Sequence, residues 1–238
     1  MKISLKKSIL FSGLIFIVLF LFNVFWSTGF FRTIENKFEG EIFKQIKLKG
    51  AEDITVSHID SFAIISSTAR KSFPNIEQEK GGLYFLDLKN KNFKLIHLTN
   101  NFKKPFAPHG ISIFKKNNYY IIAAINHTLD GEFIEIFKLT GTKLTHQKSL
   151  KHKLIFSPND IVLLDENKFY FTNDHKYRKG LNRLAEDYLG LSLSNVIYFD
   201  GMRFFEVANE IAFANGINVD SKRNLVFVAS VRKFLVKV

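Results

Sequence analysis

One continuous apolar stretch, Ile9 to Trp26, stands near the start of the chain, and the sequence beyond residue 48 breaks into short apolar runs between polar turns. Only Ser12, Gly13 and Asn23 interrupt the long stretch, and Phe30-Phe31 extend it past Ser27-Thr28-Gly29. As a helix its 18 residues reach about 27 Å, close to the hydrocarbon thickness of a bilayer. Among the short runs, residues 82–88 and 93–98 flank the turn Lys89 to Asn92 and read as a hairpin. Further strands are predicted at 110–114, 119–125, 132–139, 160–164, 168–172, 195–199, 203–207 and 225–230. The pattern predicts one helix in this region, from Leu181 to Leu193. Arg183, Glu186, Asp187 and Ser194 give it a polar side, and Leu184, Tyr188 and Leu191 an apolar one. Long helical patterns between strands are missing, which disfavours a parallel α/β fold. The frequency of strands and Asn/Asp/Gly/Lys turns predicts an all-β chain of repeated antiparallel sheets.

A second period overlies the first. Glu52-Asp53, His109, Asn159-Asp160 and Asn215 recur about every 50 to 56 residues, each at the edge of a strand-like run. A carboxylate or carboxamide left unpaired in such a place costs about 1–3 kcal/mol. Regular spacing suggests one shared compensation, a metal ion on the axis of a circular repeat. Units of that length predict a β-propeller, with room for about four blades from residue 33 onward. The chain divides into 1–31, a membrane anchor or uncleaved signal, 32–48, a polar connector, and 49–238, the propeller domain. Phe227-Val228-Ala229-Ser230 reads as an inner strand whose sheet the last eight residues do not complete, so a chain truncated at its C-terminus is expected.

Composition changes this picture little. Of 238 residues 46 % are apolar and 15 % aromatic, including 27 Phe, enough for a substantial core. No Cys is present, which excludes a disulfide framework, a thiolate metal site and a cysteine nucleophile. The net charge of +12 comes from lysines scattered over strands and turns rather than gathered in a patch, so nucleic acid is not an expected partner. Lys2, Lys6 and Lys7 precede the long apolar stretch and orient the N-terminus to the cytoplasm, placing the bulk of the chain on the extracytoplasmic side, periplasmic or extracellular. A cleaved signal is the rival reading and would make the protein secreted. Its apolar region is usually shorter, and Ser27-Thr28-Gly29 matches a cleavage site only weakly.

The residues with chemistry form an ordered series: Pro108-His109-Gly110-Ile111-Ser112, Asn126-His127, Ser157-Pro158-Asn159-Asp160-Ile161-Val162, Thr172-Asn173-Asp174-His175, Tyr188-Leu189-Gly190-Leu191 and Phe213-Ala214-Asn215-Gly216-Ile217-Asn218. Each string alone has an ordinary reading as a turn or a hydrogen-bonded strand end. As a collinear set running from about Glu52 to Ala229 they closely resemble the paraoxonase/arylesterase family of six-bladed propellers. The hydrophobic N-terminus is similar to that family's uncleaved leader. The resemblance implies two calcium ions, one catalytic and one structural. Glu52, Asn159 and Asn215 match ligands of the catalytic ion. Asp53, Asp160 and the carbonyl of Ile111 match the structural one. His109 and His127 match a pair proposed to activate water, and Asp174 and His175 match residues near the cavity wall.

The chemistry of the residues agrees. Carboxylate, carboxamide and carbonyl oxygens suit a hard cation such as calcium, whereas zinc would prefer His or Cys. Such an ion polarises an ester or lactone carbonyl, and a neutral histidine can take a proton from water. No Gly-x-Ser-x-Gly elbow is present, so a serine hydrolase is not expected. The expectation is a calcium-dependent hydrolase of aryl esters or lactones. The alternative is a catalytically inactive, calcium-stabilised propeller that serves as a binding module. A gluconolactonase or strictosidine-synthase type propeller shares the architecture but fits the strings less well. The family's fifth and sixth blades, their Asp-Asn pair and the family's disulfide have no counterpart, so the chain as written is expected to be inactive or unstable and a longer product active. Asn126-His127-Thr128 is also a glycosylation sequon, expected to be unused because it falls in the presumed site.

Overall fold

Antiparallel pairing gathers the short apolar runs into four consecutive sheets, in a computed structural model that describes residues 5–35, 37–69, 80–90 and 92–238. Lys2 and the turn residue Lys91 lie outside the described residues. The first sheet has β1 (Ala51–Ser57), β2 (Phe62–Ser67), β3 (Gly82–Asp87) and β4 (Leu95–His97) in chain order. The second has β5 (Pro108–Lys116), β6 (Tyr119–Thr128), β7 (Gly131–Thr140) and β8 (Lys143–Leu150). The third has β9 (Pro158–Leu163), β10 (Phe169–Asn173), β11 (Ser194–Phe199) and β12 (Phe204–Ile211). The fourth has β13 (Ala214–Asp220), β14 (Leu225–Ser230) and β15 (Leu235–Lys237). First strands touch in sequence, β1 to β5, β5 to β9 and β9 to β13. Four blades therefore stand around a common hub, the expected propeller arrangement.

The cores lie between blades, and this explains why the runs read as continuous rather than alternating. In β6, Ile122 and Ala124 join the cluster shared with the first blade, beside Phe62, Ile64, Leu83 and Phe137. Their neighbours Ile121, Ala123 and Ile125 turn the other way and join Ile161, Phe171 and Ile197 of the third blade. Successive side chains point to opposite faces of a strand, and here both faces are covered. A third cluster, Val162, Val196, Ile211, Ile217 and Val228, joins the third and fourth blades.

Two helices stand outside the sheets. The first, α1 (Leu5–Ser27), has no buried residue and is the one described helix long and apolar enough to cross a membrane. The second, α2 (Leu181–Leu189), stops four residues before the predicted end because Gly190 turns left-handed at φ 63° and returns its N–H to Glu186. Its faces are inverted relative to the amphipathic expectation. Glu186 is 3 % exposed, while Leu184 and Tyr188 are each 49 % exposed. The reason is local: the Glu186 carboxylate accepts the backbone N–H groups of Lys176 and Tyr177, which the loop leading into α2 would otherwise bury unpaired. The two helices approach each other. Arg232 links the two helices, donating to Ser27 Oγ at 3.4 Å and to the carbonyl of Asp187.

Candidate active site

Each innermost strand carries one bulge, and every residue of the 50-residue period falls in it. Ala51 and Ile54 of β1 face Ser67 and Ile65, so three steps oppose two. The same offset recurs at Pro108 to Ile111 of β5, Pro158 to Ile161 of β9 and Ala214 to Ile217 of β13. The residues inside the bulges are Glu52-Asp53, His109-Gly110, Asn159-Asp160 and Asn215-Gly216. A bulge bends its strand and re-aims side chains; four in register direct one pair from each blade to the same level of the hub. Acid and glycine alternate in the second position. Asp53 Oδ2 accepts the N–H of Ile111 at 2.7 Å, and Asp160 Oδ2 accepts that of Ile217 at 2.7 Å. Each aspartate thus clamps the residue that follows the next glycine-bearing bulge.

The glycines are not equivalent. A Cβ on Gly110 would stand 2.6 Å from both the Asn159 carbonyl oxygen and Asp160 Cα, whereas one on Gly216 would meet only Asp160 Oδ2 at 3.7 Å. Gly110→Ala is expected to destabilise the fold by about 1–3 kcal/mol, because backbone must move. Gly216→Ala should stay within about 1 kcal/mol of the parent. Urea unfolding followed by circular dichroism measures both, and equal effects would contradict the tight approach of the second and third blades.

The hub concentrates negative charge. Burial, against the opposing hydrogen bonds of Ile217 and Ile161, and the nearby charges of Asp53 and Glu52 push the Asp160 carboxyl up to about 7. Burial also raises Asp53, against the N–H groups of Ile111 and Ile54, with Glu52 adding repulsion. The carboxamides beside them have oxygen to offer. The Asn215 side chain makes no hydrogen bond among the described residues, while its main-chain carbonyl is held by Thr172 Oγ1 at 2.7 Å. Asn159 donates Nδ2 to Asp174 at 3.3 Å and keeps its Oδ1 without a donor among the described residues. No group of three or more His, Cys, Asp or Glu side chains is arranged to hold a metal ion among the described residues. The side chains gathered here, carboxylates with carboxamides, are oxygen donors of the kind that hard cations accept.

His109 and His127 do come together. His109 Nδ1 and His127 Nε2 are 2.8 Å apart, and His109 Nε2 is 2.8 Å from Glu52 Oε1. His109 is 8 % exposed. Asp174 follows β10 and accepts from Ser157 Oγ at 2.5 Å. Burial raises its carboxyl, but hydrogen bonds from His175 and Ser157 and the charge of His175 outweigh that and hold it below the ordinary range. His175 is 3 % exposed, with Nδ1 2.8 Å from Asp174 Oδ1 and Nε2 2.7 Å from Asp187 Oδ1. It braces Asp174 against α2. A cavity of about 680 Å³ between the turns of the first two blades contains none of these residues. Asn126 is 1 % exposed, with its carboxamide bonded to Ala107, Pro105 and Glu135, which leaves no room for a glycan.

Two further residues join the histidine pair. Glu132 is the cross-strand partner of His127, and its Oε2 lies 2.5 Å from His127 Nδ1. Arg178 donates to Glu132 Oε1 at 2.6 Å. The sequence misleads on the first: a turn centred on Asp130-Gly131 would set 127 opposite 134, whereas the loop is Leu129-Asp130, so Thr128 pairs with Gly131 and His127 with Glu132.

Fold and hub together define a β-propeller with an oxygen-lined centre and a histidine pair at its edge. The family model for arylesterases matches residues 33–238, and the chain belongs to the arylesterase family. Its relatives include serum paraoxonase/arylesterase 2 of Gallus gallus, 31 % identical over 192 residues, and serum paraoxonase/lactonase 3 of Homo sapiens, 33 % identical over 189 residues. Each match covers 76 % of this chain and 53 % of the relative, so the chain spans about half the length of these proteins. Among solved structures, a gluconolactonase from Xanthomonas campestris superposes with a TM-score of 0.50 at 12 % identity, over 84 % of this chain and 58 % of that one. That likeness concerns the fold alone.

Proposed function

We propose that the protein hydrolyses carboxylic esters, aryl esters or lactones, at the hub. The observation that carries this reading is the Glu52–His109–His127 row beside a buried, cation-demanding set of oxygens. Calcium is the ion the donors suit. Glu52, Asn159 and Asn215 would hold one ion, and Asp53, Asp160 and the Ile111 carbonyl a second. When bound, calcium would polarise the carbonyl oxygen of the substrate and favour negative charge developing there. The protein's own groups supply the rest. His109, with His127 behind it, accepts a proton from water as the water oxygen bonds to the carbonyl carbon. The same proton then passes to the departing alkoxide, so that ester and water become acid and alcohol, and a lactone becomes a hydroxy acid. Asp174, fixed by Ser157, steadies Asn159 from below.

The helix α1 is read as a membrane anchor. The lysines at positions 6 and 7 set its N-terminus on the cytoplasmic side and the propeller on the extracytoplasmic side. The exposed apolar residues Leu181, Leu184, Tyr188 and Leu189 of α2, beside α1, support a domain resting on the bilayer surface. The test is turnover of phenyl acetate and of simple lactones by the detergent-solubilised protein with calcium and with a chelator. Chelator-sensitive hydrolysis is expected of the full gene product. Calcium binding without turnover of either substrate class would refute the hydrolase and favour a binding module.

A further inference from the structure

We infer that Glu132, held by Arg178, is a positioning residue that fixes the tautomer of His127 and thereby the direction of the histidine pair. The inference rests on the hydrolase reading for its role and on geometry for its existence. His127 and Glu132 face each other across the tight β6–β7 hairpin, flanking the Thr128–Gly131 pair. The Glu132 side chain is 7 % exposed, and its two oxygens have different partners: Oε2 meets His127 Nδ1 at 2.5 Å, and Oε1 accepts from Arg178 at 2.6 Å. Arg178 comes from the third blade's loop after β10, so the carboxylate is fixed by two blades. A carboxylate is acceptor-only, and the guanidinium complements its charge.

An acceptor at Nδ1 dictates the remaining protons. His127 must carry its hydrogen on Nδ1, which leaves Nε2 as a lone pair. That lone pair, 2.8 Å away, accepts from His109 Nδ1. His109 is then held with Nε2 as the outer nitrogen of the row, 2.8 Å from Glu52 Oε1. Were His127 in the other tautomer, two N–H groups would face each other and His109 would have to reverse, turning its basic nitrogen away from Glu52. Among the described residues the Glu132 carboxylate bonds His127 and Arg178, and it acts through His127.

The test compares the parent with Glu132→Gln and Glu132→Leu in the detergent-solubilised protein. Gln keeps the volume but offers one oxygen that His127 and Arg178 both need, and Leu removes the acceptor altogether. Long-range proton–nitrogen NMR of ¹⁵N-histidine-labelled protein, with the His127 signals assigned by their loss in His127→Gln, should show the Nδ1–H tautomer in the parent and its loss in Glu132→Leu. On the ester turned over by the parent, kcat should fall about 10- to 100-fold with KM within about twofold. In a His127→Gln background the same Glu132 substitutions should change kcat by less than about twofold, whereas a structural role would remain additive. Arg178→Ala, which removes an exposed partner, should lower kcat by only about two- to fivefold. An unchanged His127 tautomer in Glu132→Leu would overturn the inference, as would additive losses in the double variant. If the parent hydrolyses no ester or lactone, the hydrolase reading fails while the NMR result still decides this one.

Discussion

With calcium removed by a chelator, the melting temperature is expected to fall as the pH rises from about 5 to about 8; with calcium in excess it should rise over the same interval. The sign follows from Asp160. Its carboxyl is raised to about 7 in the folded chain by burial, against the Ile217 and Ile161 hydrogen bonds, with repulsion from Asp53 and Glu52 adding to it. In the unfolded chain it titrates near the ordinary value of about 3.9. Between those two values the folded state binds the extra proton, so stability is complete below about 4 and is lost as the pH passes through the folded value. Asp53, also raised, adds in the same direction. Asp174 is lowered and acts oppositely; its contribution disappears only in acid, below the interval tested. A bound cation inverts the slope, because it needs the carboxylates ionised and competes with their protons. At a concentration one hundred times its dissociation constant it would add about 2.7 kcal/mol. Asp160→Asn should flatten the chelator curve. A parent whose melting temperature rises with pH in chelator, or is indifferent to calcium at pH about 8, would overturn the cation-site reading of the hub.

Much of this site was legible because spacing survives where local pattern does not. The interval linking Glu52-Asp53, His109, Asn159-Asp160 and Asn215 corresponds to one blade, and all four fall in the equivalent bulge. The bulges themselves left no mark. One extra residue in a strand looks like any other residue until its partner is known, and the partner strands β2, β6, β10 and β14 are separated from them by turns of differing length. The strands missing from the predicted set include β2, Phe62–Ser67, which is buried but ends in Ser66-Ser67, as well as strands with an exposed face. The 143–150 strand, Lys-Leu-Thr-His-Gln-Lys-Ser-Leu, alternates exposed with half-buried positions at a blade's outer edge and lacks a β-rich apolar run. The first strand, Ala-Glu-Asp-Ile-Thr-Val-Ser, is marked by its acids as the edge of a strand-like run, but its exposed face leaves its bounds unset. In α2 the period was right and the side wrong. Helical periodicity reports that two faces differ, and burial of the charged one was decided by loop amides that need Glu186 and by His175 that needs Asp187. The pairing of Glu135 with Asn126, His146 and Ser149 was likewise invisible, since cross-strand partners of a buried acid depend on register.

Replacing His109 by glutamine is expected to lower kcat/KM for phenyl acetate or a lactone by about 10²- to 10⁴-fold, the range a general base contributes, while leaving the fold and calcium affinity close to the parent's. The substitution suits the local geometry. A glutamine amide can still donate toward Glu52 and reach toward His127, so the 8 %-exposed position is not left with an unpaired carboxylate. What it cannot do is accept a proton from water near neutral pH. The position is also a sheet position, in the β5 bulge one residue before Gly110, whose tight contact with Asn159 and Asp160 the substitution leaves untouched. Turnover, calcium titration by calorimetry and the far-ultraviolet spectrum together separate the outcomes. Activity within about threefold of the parent would remove His109 from the role of base. Loss of calcium affinity in step with activity would place the histidine in the ion's shell instead. A pure loss of turnover, with ion and fold intact, is the result that the hydrogen-bonded row from Glu52 to Glu132 requires.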